Sequence, residues 1–174
     1  MGVVEQAISG ADLEANFEYS SILFLSLCEQ LKDDDLNLKI KSSSSIGQHM
    51  RHVVEFYQCF FKDLKTSEIC YDKRARLVEL ECSLLALVVE FRKIVSQYKG
   101  LSIVDRKLNL LSMAHPGASL RRAQTTLNRE LLYLSDHTIH HIAQIKLIAL
   151  ANGLILELDD KNFSTQQHRA SQIN

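Results

Sequence analysis

The chain of 174 residues has no tryptophan, one proline and only six glycines. Such a sequence is neither collagen-like nor a Pro- or Gly-rich linker. An excess of charge is missing too: 20 Lys and Arg stand against 21 Asp and Glu, a net charge of −1. That balance gives no global electrostatic footprint for nucleic acid or for an anionic membrane. Long apolar runs are also absent, since Glu90 interrupts even the Leu84 to Val89 block, far short of the roughly 18 residues of a membrane span. Residues 1 to 10 carry no basic flank and no apolar core of a signal peptide, and Gln6 stands where myristoylation wants Ser or Thr. The expected address is cytoplasmic, with no membrane and no nucleic acid as partner. Cys28, Cys59, Cys70 and Cys82 form no C-x-x-C pair and lie in segments of helical pattern, which argues for reduced thiols over disulfides or a thiolate zinc site.

What is present is an apolar content of 46%, enough for one domain that buries roughly 70% of its unfolded surface. The expected domain is the whole chain, with a core over about residues 12–152 and a polar tail over 159–174. Four segments repeat apolar residues at three-and-four spacing. The first runs from Asp12 to Leu31 through Leu13, Phe17, Ile22, Leu25 and Leu27, and ends in Lys32-Asp33-Asp34-Asp35. Ser42 to Ser45 offer an N-cap to the second, which carries Ile46, Met50, Val53, Val54, Tyr57, Phe60, Phe61 and Leu64. The third opens at Tyr71-Asp72-Lys73-Arg74, where Asp72 is a candidate N-cap, and repeats Leu77, Leu80, Leu84, Leu87, Phe91 and Val95 up to Gly100. The fourth runs from Ser119 to Asn152 with Leu120, Ala123, Leu127, Leu131, Leu134, Ile142, Ile145 and Ile148 on one face, and Gly153 placed to stop it. Between the last two, Leu101 to Ala118 break the pattern and hold the turn chemistry His115-Pro116-Gly117. The expectation is an all-α four-helix bundle with a long crossover loop that has room for a short strand.

Seven histidines are what the composition leaves unexplained. His137 and His141 fall about 40° apart on the last helix, so an H-x-x-x-H pair can present two imidazoles to one ion, and imidazole suits Zn, Ni, Cu and Fe alike. Alone, that spacing more often marks one buried and one surface histidine. A second cluster in Gly47-Gln48-His49-Met50-Arg51-His52-Val53 raises the odds, because it lies on another helix of the same bundle. Three nitrogens from two helices, plus water, make an open metal site. Periodicity prefers His49 as the inward residue, about 90° from the centre of the apolar face, over His52 at about 150°. His140, His115 and His168 read as ordinary surface or loop residues.

Ser45-Ile46-Gly47-x-x-x-x-His52-Val53 together with His137-x-x-x-His141-x-x-Gln144-Ile145 resembles the DinB/YfiT-like family of metal-binding four-helix bundles over most of the chain. The resemblance implies a down-up-up-down bundle, a homodimer, and a divalent metal, Zn or Ni with Fe as a further option, held by three histidines with open water positions. It matches His52, His137 and His141 to the ligands, against periodicity on the second helix, so His49 stays as the alternative ligand or a residue of the outer shell. Arg51-His52 and Tyr71-Asp72-Lys73-Arg74 look like a subgroup of that family, with no role attached to them. Members it resembles include S-transferases that use a low-molecular-weight thiol and a maleylpyruvate isomerase; the family's link to DNA damage concerns expression.

The chemistry so implied is a metal-dependent enzyme acting on a small-molecule substrate, a thiol-dependent S-transferase or a hydrolase. The alternative is a stress-related bundle that binds a metal or ligand without turnover. Glu55, Glu130 and Gln144 lie at helical spacings from the histidines and are candidates to orient an imidazole or a bound water. A carboxylate-bridged di-iron bundle is excluded by the lack of any E-x-x-H, and a zincin by the lack of H-E-x-x-H. Arg121-Arg122 and Lys73-Arg74-x-Arg76 are the tight basic clusters; without interleaved base-reading side chains they read as helix-end charges.

Overall fold

The computed structural model describes residues 7–158, and the polar tail with His168 lies outside them. Four helices form the body: α1 (Gly10–Gln30), α2 (Ile46–Asp63), α3 (Leu84–Lys99) and α4 (Leu127–Ala151). They pack in a closed ring, α1 on α4, α4 on α2, α2 on α3 and α3 on α1. Each start has a hydroxyl cap. Ser9 and Asp12 make a capping box at α1, Ser45 and Gln48 make another at α2, and Ser83 and Thr126 cap α3 and α4. At the end of α4, Gly153 adopts φ +79° while the Leu154 amide donates to the Ala149 carbonyl at 2.9 Å, the glycine stop that the sequence calls for.

The core is aromatic between α1 and α3, where Phe17 stacks on Tyr98 and Phe24 on Phe91 with centroids 3.7 and 4.1 Å apart. Tyr57 of α2 meets Phe17 and Phe91 edge-on. Burying each such ring contributes about 1.5–3 kcal/mol. Cys28, Cys59, Cys70 and Cys82 are all free thiols, and the Cys59 thiol donates to the Cys70 carbonyl. Among the described residues, no helix is long and apolar enough to cross a membrane.

Two departures from the sequence expectation concern the linking segments. The chain is mostly helical but not all-α: β1 (Glu68–Ile69), β2 (Lys107–Met113) and β3 (Leu120–Thr126) form a sheet of order β1-β2-β3, parallel in its first pair and antiparallel in its second. Leu120 and Ala123 therefore lie in a strand, and α4 begins only at the Thr126 cap. The third helix is likewise shorter than expected. Residues 71–83 hold two 3-10 turns, Tyr71–Lys73 and Val78–Glu81, because tertiary partners take the backbone groups a helix would use. The Glu55 carboxylate accepts from the Leu77 amide at 2.7 Å. Asp72 caps no helix; its carboxylate accepts from the Met113 amide at 2.8 Å and ties this segment to β2. Of the basic clusters, Arg121 and Arg122 are not helix-end charges, since they lie on β3, with Arg122 paired to Glu68; Lys73 and Arg74 do stand at a helix end, that of the 3-10 turn Tyr71–Lys73.

The 71–83 segment lies close on α2. A Cβ at Gly47 would collide with the Glu81 carbonyl, so only glycine lets this turn of α2 and the Val78–Glu81 backbone touch. Arg51, one turn on, forms an ion pair with Glu81 across the same contact.

Candidate metal centre

α2 and α4 face each other with His49 and His52 near the start of one and His137 and His141 mid-way along the other. One ring nitrogen each of His52, His137 and His141 lie within 4.8 Å of one another. His137 Nε2 and His141 Nε2 are 3.2 Å apart, close to the roughly 3.3 Å expected of two nitrogens each 2.0–2.1 Å from a tetrahedral ion. The His52 ring stands 4.7 Å from that of His141 and 5.1 Å from that of His137, centre to centre. These three side chains can hold a metal ion.

His49 meets the cluster from outside, its Nδ1 2.9 Å from His141 Nδ1. Since His141 turns Nε2 towards His137, its Nδ1 is free to donate to His49, and such a partner fixes the ring and tautomer of a ligating imidazole. His52 reaches the cluster despite its angle on the wheel because α2 is covered on several sides, by α3, α4 and the 71–83 segment as well as by its apolar stripe.

Burial holds all four imidazoles below the ordinary histidine pKa. For His52 it acts first and the Arg74 and Arg51 guanidiniums add to it, taking the group to about 3. His137 falls to about 4 through burial, then His140 and Arg74. His141 falls to about 2 through burial and then through His137, His52, His49 and His140. His49 is lowered by burial and by His140. The cluster is therefore uncharged at neutral pH, with lone pairs ready for a cation.

The remaining candidates sit elsewhere. Glu55 is 1% exposed and touches no histidine; it lies between Arg51 Nε at 3.4 Å and Arg74 Nε at 3.7 Å, and Arg74 in turn places Nη2 3.4 Å from His52 Nδ1. Glu130 is fully buried and accepts from Tyr71 at 2.8 Å, and from Thr125 and Arg129 at 2.7 Å each, which locks β3 and the 71–73 turn onto α4. Gln144 is half-buried and makes no hydrogen bond to the histidines. His140 is exposed, and His115 sits in the exposed loop between the strands.

Sequence reasoning missed the two walls of the site. Phe56 lies 4.4 Å from His52 and 4.5 Å from His137, and Tyr133 stacks on His137 at 5.4 Å, centre to centre, so each stands one helical turn from a histidine of the cluster, a spacing the sequence itself displays. The opposite wall is a cavity of about 380 Å³ lined by Ser44, Gln48, His49, Arg51, His52, Arg74, Arg76 and His141. Arg74 and Arg76 come from an irregular segment, which no periodicity argument brings to α2. No protein-family model and no curated protein matches the chain.

Proposed function

We propose that this protein is a metal-dependent enzyme of the DinB/YfiT-like kind that transfers a low-molecular-weight thiol to a small-molecule substrate. The observation that carries the reading is the convergence of His52, His137 and His141, uncharged and from two helices, beside an open cavity. Zn, Ni and Fe all suit imidazole donors. A divalent ion bound there supplies Lewis acidity that lowers the pKa of a thiol or water. The chain's own residues do the rest. His49 orients His141, the positive charge of Arg74 disfavours a proton on His52, and the rings of Phe56 and Tyr133 pack on His52 and His137. The cytoplasmic homodimer and the down-up-up-down helix order belong to this reading through the motif resemblance, and light scattering checks the dimer.

Thiol transfer is preferred to hydrolysis because Glu55 and Glu130 are committed to other partners. Taking a proton from water calls for a general base, whereas a thiol ionises much closer to neutrality. The same commitment of the two carboxylates favours, as a second reading, a bundle that binds metal or ligand without turnover. The test is metal analysis of protein purified without chelator, with about one divalent ion per chain expected, followed by assay of thiol consumption with an electrophilic acceptor. Stoichiometric metal that survives both His137→Ala and His141→Ala overturns the site; metal without thiol turnover leaves the second reading.

A further inference from the structure

The cavity beside the histidines has a charge pattern of its own. Three arginines line it and no carboxylate does. Two of these cations already have counter-ions outside the lining, for Arg51 pairs with Glu81 and Glu55, and Arg74 with Glu55. Glu55 is almost wholly buried and Glu81 largely so, at 1% and 18% exposure of their side chains, so neither is turned to an incoming molecule. Arg76 is the cation left over. It is exposed, it reaches the cavity, and no acceptor among the described residues holds it. Ser44 and Gln48, beside the capped start of α2, add hydroxyl and amide groups at the same mouth, where the helix dipole also favours negative charge.

Arg74 links this mouth to the histidines. Its guanidinium lies 5.0 Å from the centre of the Phe56 ring and donates to the Tyr71 carbonyl at 3.1 Å, a fixed fork between the free Arg76 and His52. Planar guanidinium groups of this kind match the paired oxygens of a carboxylate or phosphate. A cavity of this size suits a small molecule.

We infer that the cavity takes the oxyanion group, carboxylate or phosphate, of a small substrate on Arg76, with Arg74 at its inner end and the substrate's reacting atom directed to His52 and His141. The direction of the substrate rests on the metal-centre reading; the oxyanion subsite does not.

Metal-free, isotope-labelled protein is titrated with malonate, with inorganic phosphate and with neutral malonamide, following the arginine Nε–H signals by NMR. Malonate or phosphate shifts the Arg76 signal to saturation, malonamide does not, and the tighter of the two anions names the substrate group. Arg76→Gln weakens the anion about tenfold, the scale of one charge-assisted hydrogen bond near solvent; Lys65→Gln, an exposed charge outside the cavity, does not. Equal binding of malonamide, or unchanged binding in Arg76→Gln, overturns the subsite. A second arm loads the protein with cobalt and compares mercaptoacetate with 2-mercaptoethanol through the thiolate-to-metal absorption. Mercaptoacetate binds about tenfold tighter, and Arg76→Gln removes the difference. If cobalt fails to bind while the anion titration succeeds, the metal reading falls and the subsite stands. If both thiols bind the metal equally and the anion titration fails, the metal reading stands and the subsite falls.

Discussion

The α1–α3 seam and the α2–α4 seam belong to one bundle but are built from different materials. Between α1 and α3 the contacts are stacked rings, Phe17 on Tyr98 and Phe24 on Phe91, with one hydroxyl satisfied by the Leu13 carbonyl. Between α2 and α4 stand four imidazoles, and Tyr57 there meets the Thr138 hydroxyl rather than carbon alone. Packing on the first seam depends on volume, so its residues are exchangeable at the cost of the space they fill. Groups on the second have directional needs that a ligand can satisfy. Close apolar packing and the polar cluster therefore sit on opposite flanks of the same core.

Breaking the polar seam gives the largest effect. His137→Ala, His141→Ala or His52→Ala each abolishes stoichiometric metal, read by elemental analysis after gel filtration, while the unfolding midpoint of the metal-free protein stays near that of the parent. Breaking the apolar seam reverses the pattern: Phe91→Ala costs about 3–5 kcal/mol in denaturant unfolding, and the protein that remains folded keeps its metal. A smaller effect sharpens the polar side. His49→Ala lowers metal affinity about 10- to 100-fold without abolishing it, measured by competition with a chelator of known affinity; loss as complete as in His52→Ala would make His49 a direct ligand.

Acid again separates the seams. Folded His52, His137 and His141 hold pKa values of about 3, 4 and 2 against about 6.5 in the unfolded chain. As pH falls below about 6.5 the unfolded state takes up protons that the folded state refuses, so metal-free stability is full above that pH and declines towards pH 4. Urea midpoints measured across this range show the decline, and His52→Ala flattens it where Phe91→Ala does not. Metal affinity of the folded protein stays within about threefold between pH 7 and 5.5, because the ligands remain unprotonated there.

The parts that could be read from the sequence are those with a local cause. Ser45 ahead of an amphipathic run, Gly153 behind one, and two histidines four apart each act within a turn or two of chain. The strands could not be read because Leu120, Ala123 and Leu127 keep helical spacing by coincidence, while the Lys107–Met113 partner that makes Leu120–Thr126 a strand is set by long-range pairing. The third segment misled for the same reason: Leu77, Leu80 and Leu84 keep time with a helix, but the Leu77 amide is taken by Glu55 from another element. A helical wheel puts His52 outward because it assumes one buried face, and α2 has several. Its ring lies with those of His137 and His141 all the same.

The contact at Gly47 reaches further than the backbone it accommodates. Because α2 there carries a hydrogen where any other residue carries a β-carbon, the Val78–Glu81 turn seats flush, and the stretch just before it delivers Arg74 and Arg76 to the cavity rim. A single added carbon would act as a shim, tilting that stretch off the helix and widening the mouth between the arginines and His52. The width of that mouth is thus gauged by an atom that is missing, at a position outside the cavity lining.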